Sequence, residues 1–252
     1  MRLKMMRRFI PVFSSAAMMT YATRFLCLPL FLALGGIPSV AKAADERPSL
    51  MPPPPDVGVL LEKSSNDGRQ LSSGSGVMLG DGLVLTAAHV VRIDSQNPRV
   101  TVILNGWRVR GTVVQNGQRD NLDLALVKID PKEMYIKRPS QDGVSICGGN
   151  PGTDQPVVVV SNGVTTRAAT ISSPITSDGQ SGNWTNLLST GYHPGNSGGG
   201  VFDPRKNCLW GVINLELSGT VDGRFVDLTA FVPATAISSF LAKYRPQSSQ
   251  PH

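Results

Sequence analysis

The sequence predicts an all-β fold, and three observations carry that expectation. From Val57 onward the chain runs in short apolar or alternating stretches. Gly, Asn, Asp and Pro fall between those stretches, where they supply the backbone conformations that tight turns need. Only near the end, at Ile237, Phe240 and Leu241, does the spacing become that of an amphipathic helix.

In chain order, the first-half strands are expected near 57–62, 73–79, 83–86, 99–104, 107–114 and 123–129. Asn105-Gly106 separates the fourth from the fifth and predicts a type I′ hairpin turn. The second-half strands are expected near 156–161, 164–171, 186–189, 200–203, 208–215 and 225–232. Pro204-Arg205-Lys206-Asn207 is expected to turn between two of these, and the helix to run from Ala234 to Tyr244.

The N-terminal segment reads differently from the rest. All of the net charge of +6 lies in residues 1–43, which hold six Lys and Arg and no acid. Without them, 18 of the 24 basic residues remain, against 18 acidic ones, so no electrostatic case for a nucleic-acid partner survives. The basic region, the apolar stretch Phe25 to Leu34 and Ala41-Lys42-Ala43 together have the layout of a secretory signal cleaved before Ala44. That apolar core falls short of the roughly 20 residues of a spanning helix, so no stable membrane insertion is expected after cleavage. The destination implied is secreted or periplasmic. Residues 44–56 contain Pro52-Pro53-Pro54-Pro55 and read as an extended linker, 57–245 as the folded domain and 246–252 as a polar tail.

Three segments carry chemistry. Gly195-Asn196-Ser197-Gly198-Gly199 puts a hydroxyl in a glycine-rich turn whose N–H groups can converge on a developing oxyanion. A serine hydroxyl needs a neutral imidazole to take its proton, and the imidazole needs a carboxylate to hold its tautomer. His89, in Thr86-Ala87-Ala88-His89-Val90-Val91, and Asp123, in Asp123-Leu124-Ala125-Leu126-Val127-Lys128, supply these upstream. Asp120 is a rival for the acid, but it reads as a loop residue.

Together these segments resemble the trypsin/chymotrypsin superfamily, and most of all its bacterial HtrA/Deg-like branch. Gly74-Ser75-Gly76-Val77-Met78-Leu79 and Ala230-Phe231-Val232-Pro233 extend the resemblance, which covers about residues 57 to 245. It implies two six-stranded antiparallel β-barrels with a catalytic cleft between them and a C-terminal helix. It also implies a serine endopeptidase acting on protein or peptide substrates through a His89-Asp123-Ser197 triad and an acyl-enzyme. The backbone N–H groups of Gly195 and Ser197 would form the oxyanion hole. Gly191, Tyr192 and His193 would line the primary specificity pocket, with Asn214, Leu215 and Glu216 as the facing wall.

The chain departs from the pattern at Gly200, where proline or alanine is usual, and it shows no folded segment after the protease-like domain where HtrA-like proteins commonly carry PDZ domains. Asn196, uncharged, predicts a site assembled without a zymogen switch. No aspartate lies within five positions before Ser197, so medium apolar side chains are the expected preference. Cys147 and Cys208 form either one disulfide, which an oxidising compartment permits, or two buried thiols. No Cys/His spacing suggests a metal, and no cofactor is expected. The alternatives to an active peptidase are a catalytically weak homologue that binds peptides in the cleft, and an esterase using the same machinery.

Overall fold

Every strand expected from the sequence is present, and the strands close into two six-stranded antiparallel barrels. The structure, a computed structural model, describes residues 57–65, 69–92, 99–117, 122–130, 132–133, 143–177, 180–221 and 224–245, all within one compact unit. The expected signal segment 1–43, the expected linker 44–56, Asp120 and the expected tail 246–252 lie outside the described residues. Among the described residues no helix is long and apolar enough to cross a membrane.

The first barrel comprises β1 (Gly58–Ser64), β2 (Gln70–Gly80), β3 (Leu83–Thr86), β4 (Arg99–Leu104), β5 (Trp107–Asn116) and β6 (Ala125–Ile129). Its strand order is β1-β2-β3-β6-β5-β4, and β4 returns to β1 to close it. The second comprises β7 (Pro156–Ser161), β8 (Val164–Ser177), β9 (Gln180–Leu188), β10 (Gly200–Phe202), β11 (Leu209–Val221) and β12 (Arg224–Pro233). Its order is β10-β11-β12-β9-β8-β7, closed by the β7–β10 pairing. Three hairpins turn on an Asx-Gly pair with positive φ at both residues: Asp81-Gly82, Asn105-Gly106 and Asn162-Gly163. That is the type I′ geometry that suits the twist of the flanking strands.

Strand alternation divides most of the buried apolar residues among three large cores, beside two smaller clusters around Leu187 and Ala234. On β6, Ala125, Val127 and Ile129 face the core of the first barrel, while Leu126 joins Leu124 in a core between the barrels. On β7, Val157 and Val159 face the core of the second barrel, while Val158 and Val160 face the inter-barrel core. Val77, Leu85, Phe202, Leu209 and Val212 complete that shared core. A period of two is therefore enough to bury both faces of these strands. The helix α1 (Ala234–Ala242) adds Ile237 and Phe240 to the same core, and Gln115 Nε2 on β5 donates to the carbonyl of Phe240 at 2.8 Å.

The observed elements differ from expectation mainly at their ends. β8 and β9 run on to Ser177 and back from Gln180, and β11 and β12 to Val221 and from Arg224. Residues 172–185 are rich in Ser, Thr, Gly and Asn, so apolar alternation gives no sign of a strand there. Long antiparallel pairing (Pro174↔Asn183, Ser218↔Asp227) holds these extensions. In contrast, β6 starts at Ala125 rather than at Asp123, which leaves the aspartate in the connection before the strand.

Candidate active site

His89 lies on a single 3₁₀ turn, Ala88–Val91, directly after β3. Ala88, Val90 and Val91 are buried beneath it, so the turn is anchored by its apolar residues and the imidazole alone is exposed. Asp123 is set in a tight connection: Leu122 N–H donates to Gly117 O at 3.0 Å, and Gly117 N–H to Leu124 O at 2.8 Å. The buried Leu124 fixes one side of this connection in the inter-barrel core.

The two side chains meet. Asp123 Oδ2 lies 2.7 Å from His89 Nδ1, and Asp123 Oδ1 accepts the backbone N–H of His89 at 2.9 Å. A proton on Nδ1 is thereby held by the carboxylate, which leaves Nε2 with its lone pair.

Ser197 stands in a turn between β9 and β10, half-buried, with Gly195 at φ 98° and Gly198 at φ 88°. The turn folds on itself through Asn196 N–H to His193 O at 3.1 Å and Gly199 N–H to Asn196 O at 2.9 Å. Among the described residues the N–H groups of Gly195 and Ser197 donate to nothing. The side chain of Asn196 is held by Ser161, whose Oγ donates to Oδ1 at 2.9 Å, and by the His193 carbonyl, which accepts from Nδ2 at 3.0 Å.

The turn is also fastened to the first barrel. Ser75 N–H donates to Ser197 O at 2.7 Å, and Ser75 Oγ donates to Gly195 O at 2.8 Å. Ser75 Oγ in turn accepts Asn162 N–H at 2.7 Å, and Ser75 O accepts the hydroxyl of Thr86 at 2.7 Å. Thr86 is the last residue of β3 and stands three positions before His89. His89 and the serine turn are thus joined through Thr86 and Ser75 as well as by the packed core.

Gly191, Tyr192 and His193 lead into the turn. Tyr192 N–H donates to Thr229 Oγ1 at 2.8 Å, and its phenol lies 2.5 Å from Thr166 Oγ1. Burial of that phenol pushes its pKa above the ordinary 10.0, against the opposing pull of Thr166. Asn214 stands at a register shift between Ile213 and Leu215 on β11, and its Oδ1 is buried with no partner among the described residues. Leu215 is exposed. His193 Nδ1 lies 3.7 Å from Glu216 Oε1, and ligand atoms of His193, Glu216 and Asp227 lie within 4.8 Å of one another.

A family model described as trypsin-like peptidase domain matches residues 74–212. This chain belongs to the trypsin-like peptidase family. Protease Do-like 2, chloroplastic, of Arabidopsis thaliana is 26% identical to it over 182 residues, a match covering 69% of this peptidase and 28% of that protein. The chain therefore spans well under half of that relative. Two solved structures share the fold, each at a TM-score of 0.51. The serine endoprotease from Yersinia pestis is 23% identical, covering 75% of this chain and 62% of that one. The Rv3671c protease from M. tuberculosis, in its active form, is 20% identical, covering 77% and 84%.

Some residues of this trypsin-like peptidase escaped sequence reading. Ser75 and Thr86 sit inside the quoted segments, yet nothing in their types separates them from ordinary strand residues; only the meeting of two barrels gives them partners. Asp227 and Thr229, on alternate positions of β12, face the Gly191–Tyr192 segment, a contact between a strand and a loop far apart in the chain. The structure also joins Cys147 to Cys208 in a disulfide, Cα atoms 5.1 Å apart.

Proposed function

We propose that this chain is an exported serine endopeptidase that cleaves protein or peptide substrates through Ser197, His89 and Asp123. The observation that carries the reading is the two-point grip of Asp123 on His89, at Nδ1 and at the backbone N–H. A carboxylate so placed fixes the imidazole tautomer and stabilises the imidazolium that forms when Nε2 takes a proton. Ser197 Oγ adds to the scissile carbonyl carbon as its proton passes to His89 Nε2. The carbonyl oxygen becomes an oxyanion, to which Gly195 and Ser197 N–H would donate. Collapse of this intermediate breaks the C–N bond, and His89 returns the proton to the departing amine. Water then repeats the sequence on the acyl-enzyme, freeing the acid and restoring the serine.

Asn196 supports a site that needs no activating cleavage, because two neutral hydrogen bonds within the domain already satisfy its side chain. Export is supported by the layout of residues 1–43 and by the disulfide, which persists in oxidising compartments.

A fluorophosphonate probe tests the chemistry. The protein starting at Ala44 should be labelled at Ser197, with labelling abolished in His89→Ala. A correctly folded protein that takes no label would instead favour a homologue that binds peptides in its cleft without turning them over.

A further inference from the structure

The two N–H groups that would bind an oxyanion stand in unequal surroundings. Around Ser197 the turn is packed and pinned. A Cβ at Gly198 would lie 2.0 Å from Ser75 O, and one at Gly199 2.6 Å from Ser161 Cβ. The peptide unit carrying the Ser197 N–H is held at its carbonyl, on Asn196, which accepts Gly199 N–H at 2.9 Å. The next unit is held at both ends, Ser197 O by Ser75 N–H and Gly198 N–H by Ile213 O, each at 2.7 Å.

Gly195 has no such enclosure: a Cβ there would meet nothing within 4 Å. Among the described residues no hydrogen bond holds the Pro194–Gly195 unit, which carries the other N–H. Glycine takes positive and negative φ about equally well, so packing does nothing to keep Gly195 at φ 98°. The unit that follows it is held at Asn196 N–H by His193 O at 3.1 Å, a bond within the turn itself. Its tie to the rest of the molecule is the Gly195 carbonyl, which accepts the hydroxyl of Ser75 at 2.8 Å.

The geometry points to Ser75 as a positioning residue for the oxyanion hole, its hydroxyl fixing the Gly195 carbonyl so that the Gly195 N–H stays turned toward the developing oxyanion. The inference rests on the peptidase reading above. Ser75 is fully buried on β2 of the first barrel. Its Oγ accepts Asn162 N–H at 2.7 Å, which leaves the one hydroxyl proton for Gly195 O. Its N–H holds Ser197 O, and its own carbonyl accepts the Thr86 hydroxyl. The hydroxyl therefore cannot swing away without breaking bonds to other segments. An alanine at 75 would remove the partner of Gly195 O at the one glycine of the turn that nothing packs against.

Inactivation by a fluorophosphonate reads the hole, since the phosphoryl oxygen takes the place of the oxyanion. Ser75→Ala should slow the maximal inactivation rate about 10- to 100-fold, the effect of one buried hydrogen bond removed with its partner left unsatisfied. The reagent concentration giving half the maximal rate should stay where it is, and turnover of labelled casein should fall by the same factor as the rate. Thr86→Val supplies the comparison. It removes a bond to Ser75 from the same seam without touching Gly195, so it should lower the urea midpoint as Ser75→Ala does but slow inactivation far less. Ser75→Cys, close in size and only a weak S–H donor, should also slow inactivation, and it decides the matter if the alanine variant does not fold. Folded Ser75→Ala labelled at the wild-type rate would overturn the assignment and leave the peptidase reading standing. Equal rate losses in Ser75→Ala and Thr86→Val would do the same, making Ser75 a fastener alone. Wild-type protein that takes no label at Ser197 overturns both.

Discussion

Asp123 holds His89 at two atoms, and Tyr192 meets Thr166 at one. Burial of Tyr192 favours the neutral phenol. Since the folded-state value is raised above 10.0, the unfolded chain ionises first as pH rises. Stability contributed by the buried neutral phenol is therefore complete below pH 10.0 and declines above it, falling through the folded-state value. Urea unfolding at pH 8 and pH 11 should show a larger alkaline loss in wild-type protein than in Tyr192→Phe. Equal losses would mean that the phenol is not held neutral by its surroundings.

Turns and strands are where local sequence and tertiary context part company. Gly106 and Gly198 both have positive φ, yet their surroundings differ. A Cβ at 106 would meet nothing within 4 Å, whereas one at 198 would lie 2.0 Å from Ser75 O and 2.3 Å from Thr86 Oγ1. Gly106→Ala should thus cost about 1 kcal/mol, the backbone penalty alone. Gly198→Ala should cost about 3 kcal/mol or more, because it also forces apart the hydrogen-bonded seam. Denaturant midpoints of the two variants check the difference, and similar losses would contradict it. The same contrast explains what was legible beforehand. Asn105-Gly106 announces its hairpin from two residue types, and the valines of β7 announce a buried strand. The polar ends of β8 and β9 announce nothing, since pairing between backbones defines them. Likewise His89, Asp123 and Ser197 stand in recognisable segments, while Asp227 becomes visible only when β12 is seen against Gly191.

At the scale of the whole molecule, His89 and Asp123 come from one barrel and the serine turn from the other, so whatever fixes the barrels fixes the candidate site. The segment leading into β7 is one such fastening. A Cβ at Gly143 would lie 1.7 Å from Leu79 O in the first barrel. Cys147 N–H donates to Leu209 O at 3.0 Å, and its sulfur is bonded to Cys208 in the second barrel, 61 residues away in sequence. Closing a loop of that length should contribute about 2–4 kcal/mol. Dithiothreitol should lower the unfolding free energy of the wild-type protein, read from urea titration, by that amount and leave a Cys147→Ser/Cys208→Ser variant unmoved; an unmoved wild type would show the bridge to be energetically idle. The turn just before Cys208 has another consequence. Arg205 and Lys206 are exposed there, where a protease that cuts after basic residues would meet them. Buried Asp203 accepts both of their N–H groups on Oδ1, at 2.7 and 3.2 Å, and its carbonyl accepts that of Asn207 at 2.9 Å. A segment coiled around one carboxylate resists the straightening that entry into a protease cleft requires, so its exposed basic bonds are withheld from cleavage.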